Sequence, residues 1–214
     1  SCGAVQICDL GYSTHTQEMA MRNARKVRFP NIEVLMRKLN SILAAAILLL
    51  FIIHGILGTL TMVDAAMIIT KHMARFMVVL IVIHTVLSCI LTAKALKTWK
   101  VTGAPYFKEN TLFWARRISG LAIMILIAFH MISFMSTTPG SFTLPYFGGS
   151  LLAANILLVI SVAVHVTTNV KPMLISFGIR SLKPRVGDIL FVLSVLLVLF
   201  IIGFIIYYFR WNTI

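Results

Sequence analysis

Acidic residues are scarce in this chain: Asp and Glu together number 6 of 214 residues, against 19 Lys and Arg. None of the six lies inside a long apolar run, since Asp64 and Asp188 stand only at the ends of such runs. Proton relays and metal transporters usually recruit carboxylates within the membrane. The scarcity therefore argues against both classes.

Cysteine is also rare, and its spacing predicts no metal site. Cys2 and Cys8 are six residues apart in a polar leader, and Cys89 lies in the middle of an apolar run. This pattern predicts unpaired thiols. Residues 1–28 contain no apolar run of the length that a signal peptide needs, so none is expected.

Apolar residues dominate what is present. They make up 59% of the chain, charged residues make up 12%, and the mean hydropathy is +0.96. These values are typical of integral membrane proteins and not of soluble domains. The net charge of +13 does not indicate nucleic acid, because the basic residues flank apolar runs instead of lining one groove. They are read as topology signals and as contacts for a protein partner or anionic membrane lipid.

The apolar runs predict an all-α integral membrane protein, a bundle of five transmembrane helices. Residues 118–170 contain no charged side chain, and turn residues between 137 and 149 divide this stretch into two helices. We expect a cytoplasmic N-terminal segment at 1–37 and a transmembrane domain at 38–210. Its spans are predicted at about 41–63, 74–94, 117–136, 150–170 and 188–209.

The distribution of Lys and Arg predicts the orientation. Sixteen of the 19 precede the first span or fall in the 2–3 and 4–5 connections, and the other three are Lys71, Arg75 and Arg210. Cytoplasmic loops carry the excess of basic residues. The N-terminus is therefore expected inside and the C-terminus outside.

One histidine lies in each of the first four predicted spans: His54, His84, His130 and His165. An ionisable residue within a span is costly and by default marks a functional site. Counted from the nearest cytoplasmic basic residue, His54 and His130 lie 16 and 13 residues deep, whereas His84 and His165 lie 10 and 6 residues deep. The depths predict the pairs His54 with His130 and His84 with His165, at levels roughly 10 Å apart.

Two imidazoles at one depth on facing helices suit the axial ligation of a haem inside an apolar bundle. Two such pairs predict two haem groups and electron transfer between them. A proton relay, a His-ligated metal transporter and another small haem-free membrane protein are the alternatives.

The segment RRISGLAIMILIAFHMISF, residues 116–134, resembles the third helix of the di-haem cytochrome b anchor of succinate:quinone oxidoreductases and quinol:fumarate reductases. The shared pattern is an Arg, a Ser-Gly two residues on, and a His about ten residues later, followed by an aromatic residue. The sequences around His54, His84 and His165 resemble the other helices of that anchor more loosely, so the resemblance covers about residues 35–209.

The resemblance implies that His54 and His130 ligate the iron of a distal haem b, and His84 and His165 that of a proximal one. It also implies an iron-sulfur subunit and a flavoprotein subunit docked on the cytoplasmic loops, a quinone (menaquinone or ubiquinone) in the membrane, and location in a prokaryotic cytoplasmic membrane. Succinate or fumarate would react on the flavoprotein, and this chain would carry electrons and the quinone site. In fumarate reductases of this type an acidic residue before the fourth-helix histidine helps carry protons, but positions 161–164 here read Ser-Val-Ala-Val.

Two further sets of residues are candidates for cofactor contacts. Arg116, Arg117 and Ser119 at the cytoplasmic start of the third span are expected to pair with propionates of the proximal haem. A quinone site near the outer haem is predicted at Asp64, Lys71, His72 and Arg75, whose other interpretation is a solvated loop. A cytochrome b subunit of another dehydrogenase, of the hydrogenase or formate dehydrogenase type, is the alternative function within electron transfer.

Overall fold

The computed structural model describes residues 5–63, 71–102, 110–135, 147–179 and 183–212. Five helices account for nearly all of them, and we number them in chain order. They are α1 (Val5–Met62), α2 (Lys71–Thr102), α3 (Thr111–Met135), α4 (Gly149–Ser176) and α5 (Lys183–Asn212). The prediction of an all-helical chain is confirmed for the described residues.

Each helix contains a segment long and apolar enough to cross a membrane. These segments are Ile32–Met62, His72–Thr98, Thr111–Phe134, Gly149–Ser176 and Val186–Arg210. A helix satisfies its backbone hydrogen bonds internally, which hydrocarbon requires of any spanning segment. The predicted integral membrane character is therefore supported by five helices, as expected from the apolar runs.

Most large apolar side chains lie on the outside of the bundle. Examples on each of the five helices are Leu49, Phe76, Leu121, Leu157 and Phe191, all more than half exposed. Such a surface would aggregate in water, but it matches lipid. Cys89 is a free thiol that lies exposed on α2, whereas the side chains of Cys2 and Cys8 lie outside the described residues.

The internal packing is concentrated on α4 and its neighbours. Among the described helices α3 and α4 share the most extensive interface, and α1 packs on both α2 and α5. The buried cluster centres on α5, whose Leu193, Leu197, Phe200 and Phe204 face inward. This arrangement brings α1, α3, α4 and α5 around one common interior.

The contact between α1 and α5 depends on a glycine. A Cβ atom built at Gly55 would overlap the ring of Phe200, which is 5% exposed and also packs edge-on against Phe51 with ring centroids 5.9 Å apart. A Cβ atom at Gly58, one turn later, would have no atom within 4 Å. The two glycines therefore form a matched pair, one at a close helix contact and one in open space.

We expect Gly55→Ala to destabilise the bundle and Gly58→Ala to leave it unchanged or slightly more stable. Overpacking of this kind costs about 1–3 kcal/mol, whereas Ala in an open helical position favours the helix over Gly. Thermal unfolding of the purified variants in detergent measures the difference. Equal melting temperatures for the two variants would contradict this packing of α1 on α5.

Candidate functional site

The rings of His54 on α1 and His130 on α3 face each other inside the bundle. Their centroids are 6.2 Å apart and their planes meet at 79°. Two imidazoles on opposite sides of one metal ion have ring centres roughly 6 Å apart, since each metal–nitrogen bond is about 2 Å long. The structure thus brings together two histidines that the depth count pairs, at a spacing that suits a shared metal.

Asn155 of α4 fixes the orientation of the His130 ring. Its Oδ1 lies 2.7 Å from His130 Nδ1, while its Nδ2 donates to the Leu151 carbonyl at 2.8 Å. Because Oδ1 can only accept, His130 Nδ1 carries the proton and donates, which leaves the lone pair on Nε2. Metal-ligating histidines usually hold their second ring nitrogen in this way.

Sequence reasoning did not identify Asn155, although a signal was present. It is the one amide between Leu151 and Val159, in an otherwise apolar stretch, and it is only 1% exposed. A buried amide in a membrane-spanning helix requires polar partners. Asn155 should therefore have been considered as a partner for one of the histidines.

Aromatic side chains surround the other side of His130. The Phe134 ring lies 4.8 Å from the His130 ring, and Phe204 of α5 meets it edge-on at 6.3 Å. Phe147, which precedes α4 and is 1% exposed, stacks nearly parallel to Phe204 with centroids 6.5 Å apart. This cluster lies toward the end of the bundle away from Arg116 and Arg117.

The second pair that the depth count predicts is His84 on α2 with His165 on α4. Ser119 of α3 holds the His165 ring: its Oγ is 3.1 Å from His165 Nδ1 and donates to the Arg116 carbonyl at 3.3 Å. The Ser119 hydroxyl can give its proton to the Arg116 carbonyl and accept from His165 Nδ1, an arrangement that corresponds to the Nδ1-protonated tautomer of His165. His165, like His130, then presents the lone pair of Nε2.

The absence of a side chain at Gly120 allows the His165 ring to pack against α3. A Cβ atom there would lie 3.3 Å from His165 Cε1, which is tighter than most real contacts, and 3.6 Å from His165 Nδ1, which is an ordinary van der Waals contact. Ser119 and Gly120 thus act on one ring, the first through a hydrogen bond and the second through the space it leaves. Ser119 was predicted as a propionate partner, and its contact with His165 was not foreseen.

His54 and His84 differ from their partners at the second ring nitrogen. The Nδ1 atoms of both are buried and have no hydrogen-bond partner among the described residues. One turn after His84, Ser88 of α2 donates a hydrogen bond to the Asn40 side chain of α1 at 3.2 Å. In each pair a side chain contacts one ring, which is His130 or His165. The Nδ1 atom of the other ring, His54 or His84, is buried and has no hydrogen-bond partner among the described residues.

Arg116 and Arg117 have different surroundings despite being neighbours. Arg116 Nε donates to the Thr168 carbonyl of α4 at 2.9 Å. The Arg117 guanidinium lies 4.8 Å above the Phe113 ring, and its buried Nε has no partner among the described residues. A buried donor of this kind requires an acceptor, and a carboxylate would serve.

The residues predicted for quinone are only partly described. His72 and Arg75 are exposed in the first turns of α2, the side chain of Lys71 is not described, and Asp64 lies outside the described residues. Their proposed role stays a prediction.

The donor set favours a cofactor that brings most of its own metal ligands. Among the described residues no group of three or more His, Cys, Asp or Glu side chains could hold a metal ion. Zinc in proteins has three or four protein ligands, whereas haem iron takes four nitrogens from the porphyrin and needs only two axial ones. Two imidazoles per level fit the second case.

No protein-family model, no curated protein and no solved structure matches the chain.

Proposed function

We propose that this chain is the membrane anchor and electron-transfer subunit of a succinate dehydrogenase or fumarate reductase complex. In this proposal His54 with His130, and His84 with His165, hold two b-type haems. The observation that carries it is the repeated arrangement of two histidines at one level, one of them oriented by a buried side chain. Asn155 has this role at one level and Ser119 at the other.

The separation of the two levels supports electron transfer along the bundle. On α3, His130 follows Gly120 by ten residues, and on α4 His165 follows Asn155 by ten residues. Since His130 contacts Asn155 and Gly120 contacts His165, both helices give the same spacing, about 15 Å at 1.5 Å per residue. This replaces the estimate of roughly 10 Å that depth counting predicts.

Haem would act as the one-electron carrier, and the side chains would bind and orient it. Asn155 and Ser119 would orient the two ligand rings that they contact, and the aromatic rings of Phe134 and Phe147 would line one end of the site. Arg117 offers a buried donor, without a hydrogen-bond partner among the described residues, for a propionate. Electrons would pass between a docked iron-sulfur subunit and membrane quinone, as the sequence resemblance implies.

Haem content of the purified chain is the direct test of this proposal. We expect two b-type haems per chain and two components in a redox titration. A chain that carries no haem after expression with adequate haem supply would reject the proposal. Reduction of the haems by succinate in membranes tests the partner separately, because reduction only by hydrogen or formate would instead identify another dehydrogenase.

Gly120→Val should reduce the occupancy of one haem and spare the other. The added side chain would occupy the space of the His165 ring, whereas His54 and His130 lie on the other level. A redox titration should show loss of a single component. Gly187→Val is the control, since a Cβ at Gly187 meets no atom within 4 Å. Equal loss of both components in Gly120→Val would contradict the assignment of Gly120 to His165.

A further inference from the structure

Pro172 leaves a carbonyl of α4 without its helical partner. Proline has no N–H, so residue 172 cannot donate to the carbonyl of Thr168, four residues earlier. Both residues lie within the membrane-spanning segment Gly149–Ser176. An unpaired carbonyl is costly there, and prolines are tolerated in such helices only where another donor replaces the missing one.

Arg116 of α3 is that donor. Its Nε lies 2.9 Å from the Thr168 carbonyl oxygen, in a partly buried contact. A guanidinium suits this role because it is always charged and presents its N–H groups in a rigid plane. A hydrogen bond between α3 and α4 thus replaces the backbone hydrogen bond that Pro172 cannot donate.

The same arginine is linked to His165 by a second route. The Arg116 carbonyl accepts the Ser119 hydroxyl at 3.3 Å, and Ser119 in turn contacts His165 Nδ1 at 3.1 Å. On α4, the His165 carbonyl accepts a hydrogen bond from Asn169 Nδ2 at 2.7 Å. Arg116 therefore connects α3 to α4 at the histidine and again less than one turn beyond it.

We infer that Arg116 is a positioning residue: it replaces the backbone donor that Pro172 lacks, and in doing so it holds α4 in the rotation that directs His165 to His84. The part of this inference that concerns haem rests on the proposed function. The part that concerns helix packing does not. Neighbouring Arg117 has no such role, because its guanidinium lies over Phe113 of its own helix.

The test is a double-mutant cycle, because Pro172→Ala restores the missing N–H and should make Arg116 dispensable. We expect Arg116→Leu to lower the apparent melting temperature of the full chain in detergent by roughly 5 °C, the effect of one unsatisfied buried carbonyl. It should also lower haem affinity at the His84–His165 level about tenfold. In Arg116→Leu/Pro172→Ala both losses should be largely recovered.

The control is Arg117→Leu, alone and combined with Pro172→Ala. Pro172→Ala should not recover any loss caused by Arg117→Leu, since the Arg117 guanidinium lies over Phe113 of its own helix. If Arg116→Leu yields no folded protein, recovery of folded protein in the double variant supports the inference, and failure to recover overturns it. The inference would also be overturned if the losses caused by Arg116→Leu persisted unchanged in the presence of Pro172→Ala. It would be overturned as well if Pro172→Ala reversed the losses caused by Arg117→Leu.

The two proposals fail separately. A wild-type chain without haem rejects the proposed function but leaves the recovery of the melting temperature measurable. A chain with two haems in which Arg116 and Pro172 show no coupling rejects only the positioning role. The electron paramagnetic resonance spectrum of the haem at the His84–His165 level gives a third measurement, because a rotated His165 ring changes the angle between the axial ligand planes.

Discussion

His54→Ala and His130→Ala should each abolish the same one of two haems, and His84→Ala and His165→Ala should each abolish the other. A haem with one axial imidazole and a cavity in place of the second would lose its low-spin character and most of its affinity. The 6.2 Å spacing of the His54 and His130 rings is the observation behind the first pair. The contact of Ser119 with His165 supports the second.

Low-temperature difference spectra and redox titrations of the four single variants measure this outcome. His15→Ala is the matched control, because this histidine precedes the first membrane-spanning segment and should not affect either haem. A crossed pattern, in which His54→Ala and His165→Ala remove the same component, would disprove the pairing. Retention of both haems in all four variants would disprove the ligand assignment altogether.

Asn155→Leu should weaken haem binding at the His54–His130 level by about 10–100-fold, the usual effect of removing the partner of a ligating histidine. The substitution keeps the size of the side chain but removes the oxygen that accepts from His130 Nδ1. The ring would lose its fixed tautomer, and its proton would be left unpaired in a site where Asn155 is 1% exposed. The haem that is still bound at the His54–His130 level should titrate at a higher midpoint potential, because His130 becomes a less basic ligand.

Asn155→Asp and Ser119→Ala complete this experiment. Asn155→Asp retains an oxygen toward His130 and should retain the haem, with a midpoint potential shifted downward. Ser119→Ala should alter only the component that depends on His84 and His165. If Asn155→Leu changed that component instead, or changed both equally, Asn155 would have no specific role at His130.

Several features of the site were predictable from the sequence. The four histidines are recognisable because ionisable residues are rare within apolar runs, and counting residues from the flanking charges ranks their depths. The estimate of the level separation was less accurate, because Lys and Arg side chains reach the interface from varying positions along the helix. The paired contacts at residues 120 and 165, and at 130 and 155, do not depend on those charges.

The partners of the histidines were not predictable in this way. Ser119 was expected to contact a propionate, and Asn155 was not considered at all. Both contacts join residues that are far apart in sequence, 46 positions for Ser119 with His165 and 25 for His130 with Asn155. The contact of Arg116 with Thr168 spans 52 positions. A periodic pattern within one helix carries no information about which residue of another helix lies opposite.

The sequence by itself determined the apolar character of this protein and the number of long apolar helices in the part that the structure describes. Long uncharged runs are typical of membrane-spanning segments, and hydrocarbon permits only segments that satisfy their own backbone. The tertiary structure alone decided how each helix is rotated about its axis. That rotation follows from packing between helices, as at Gly55 with Phe200, and it determines which ring nitrogen meets Asn155 or Ser119 and which stays open to a ligand.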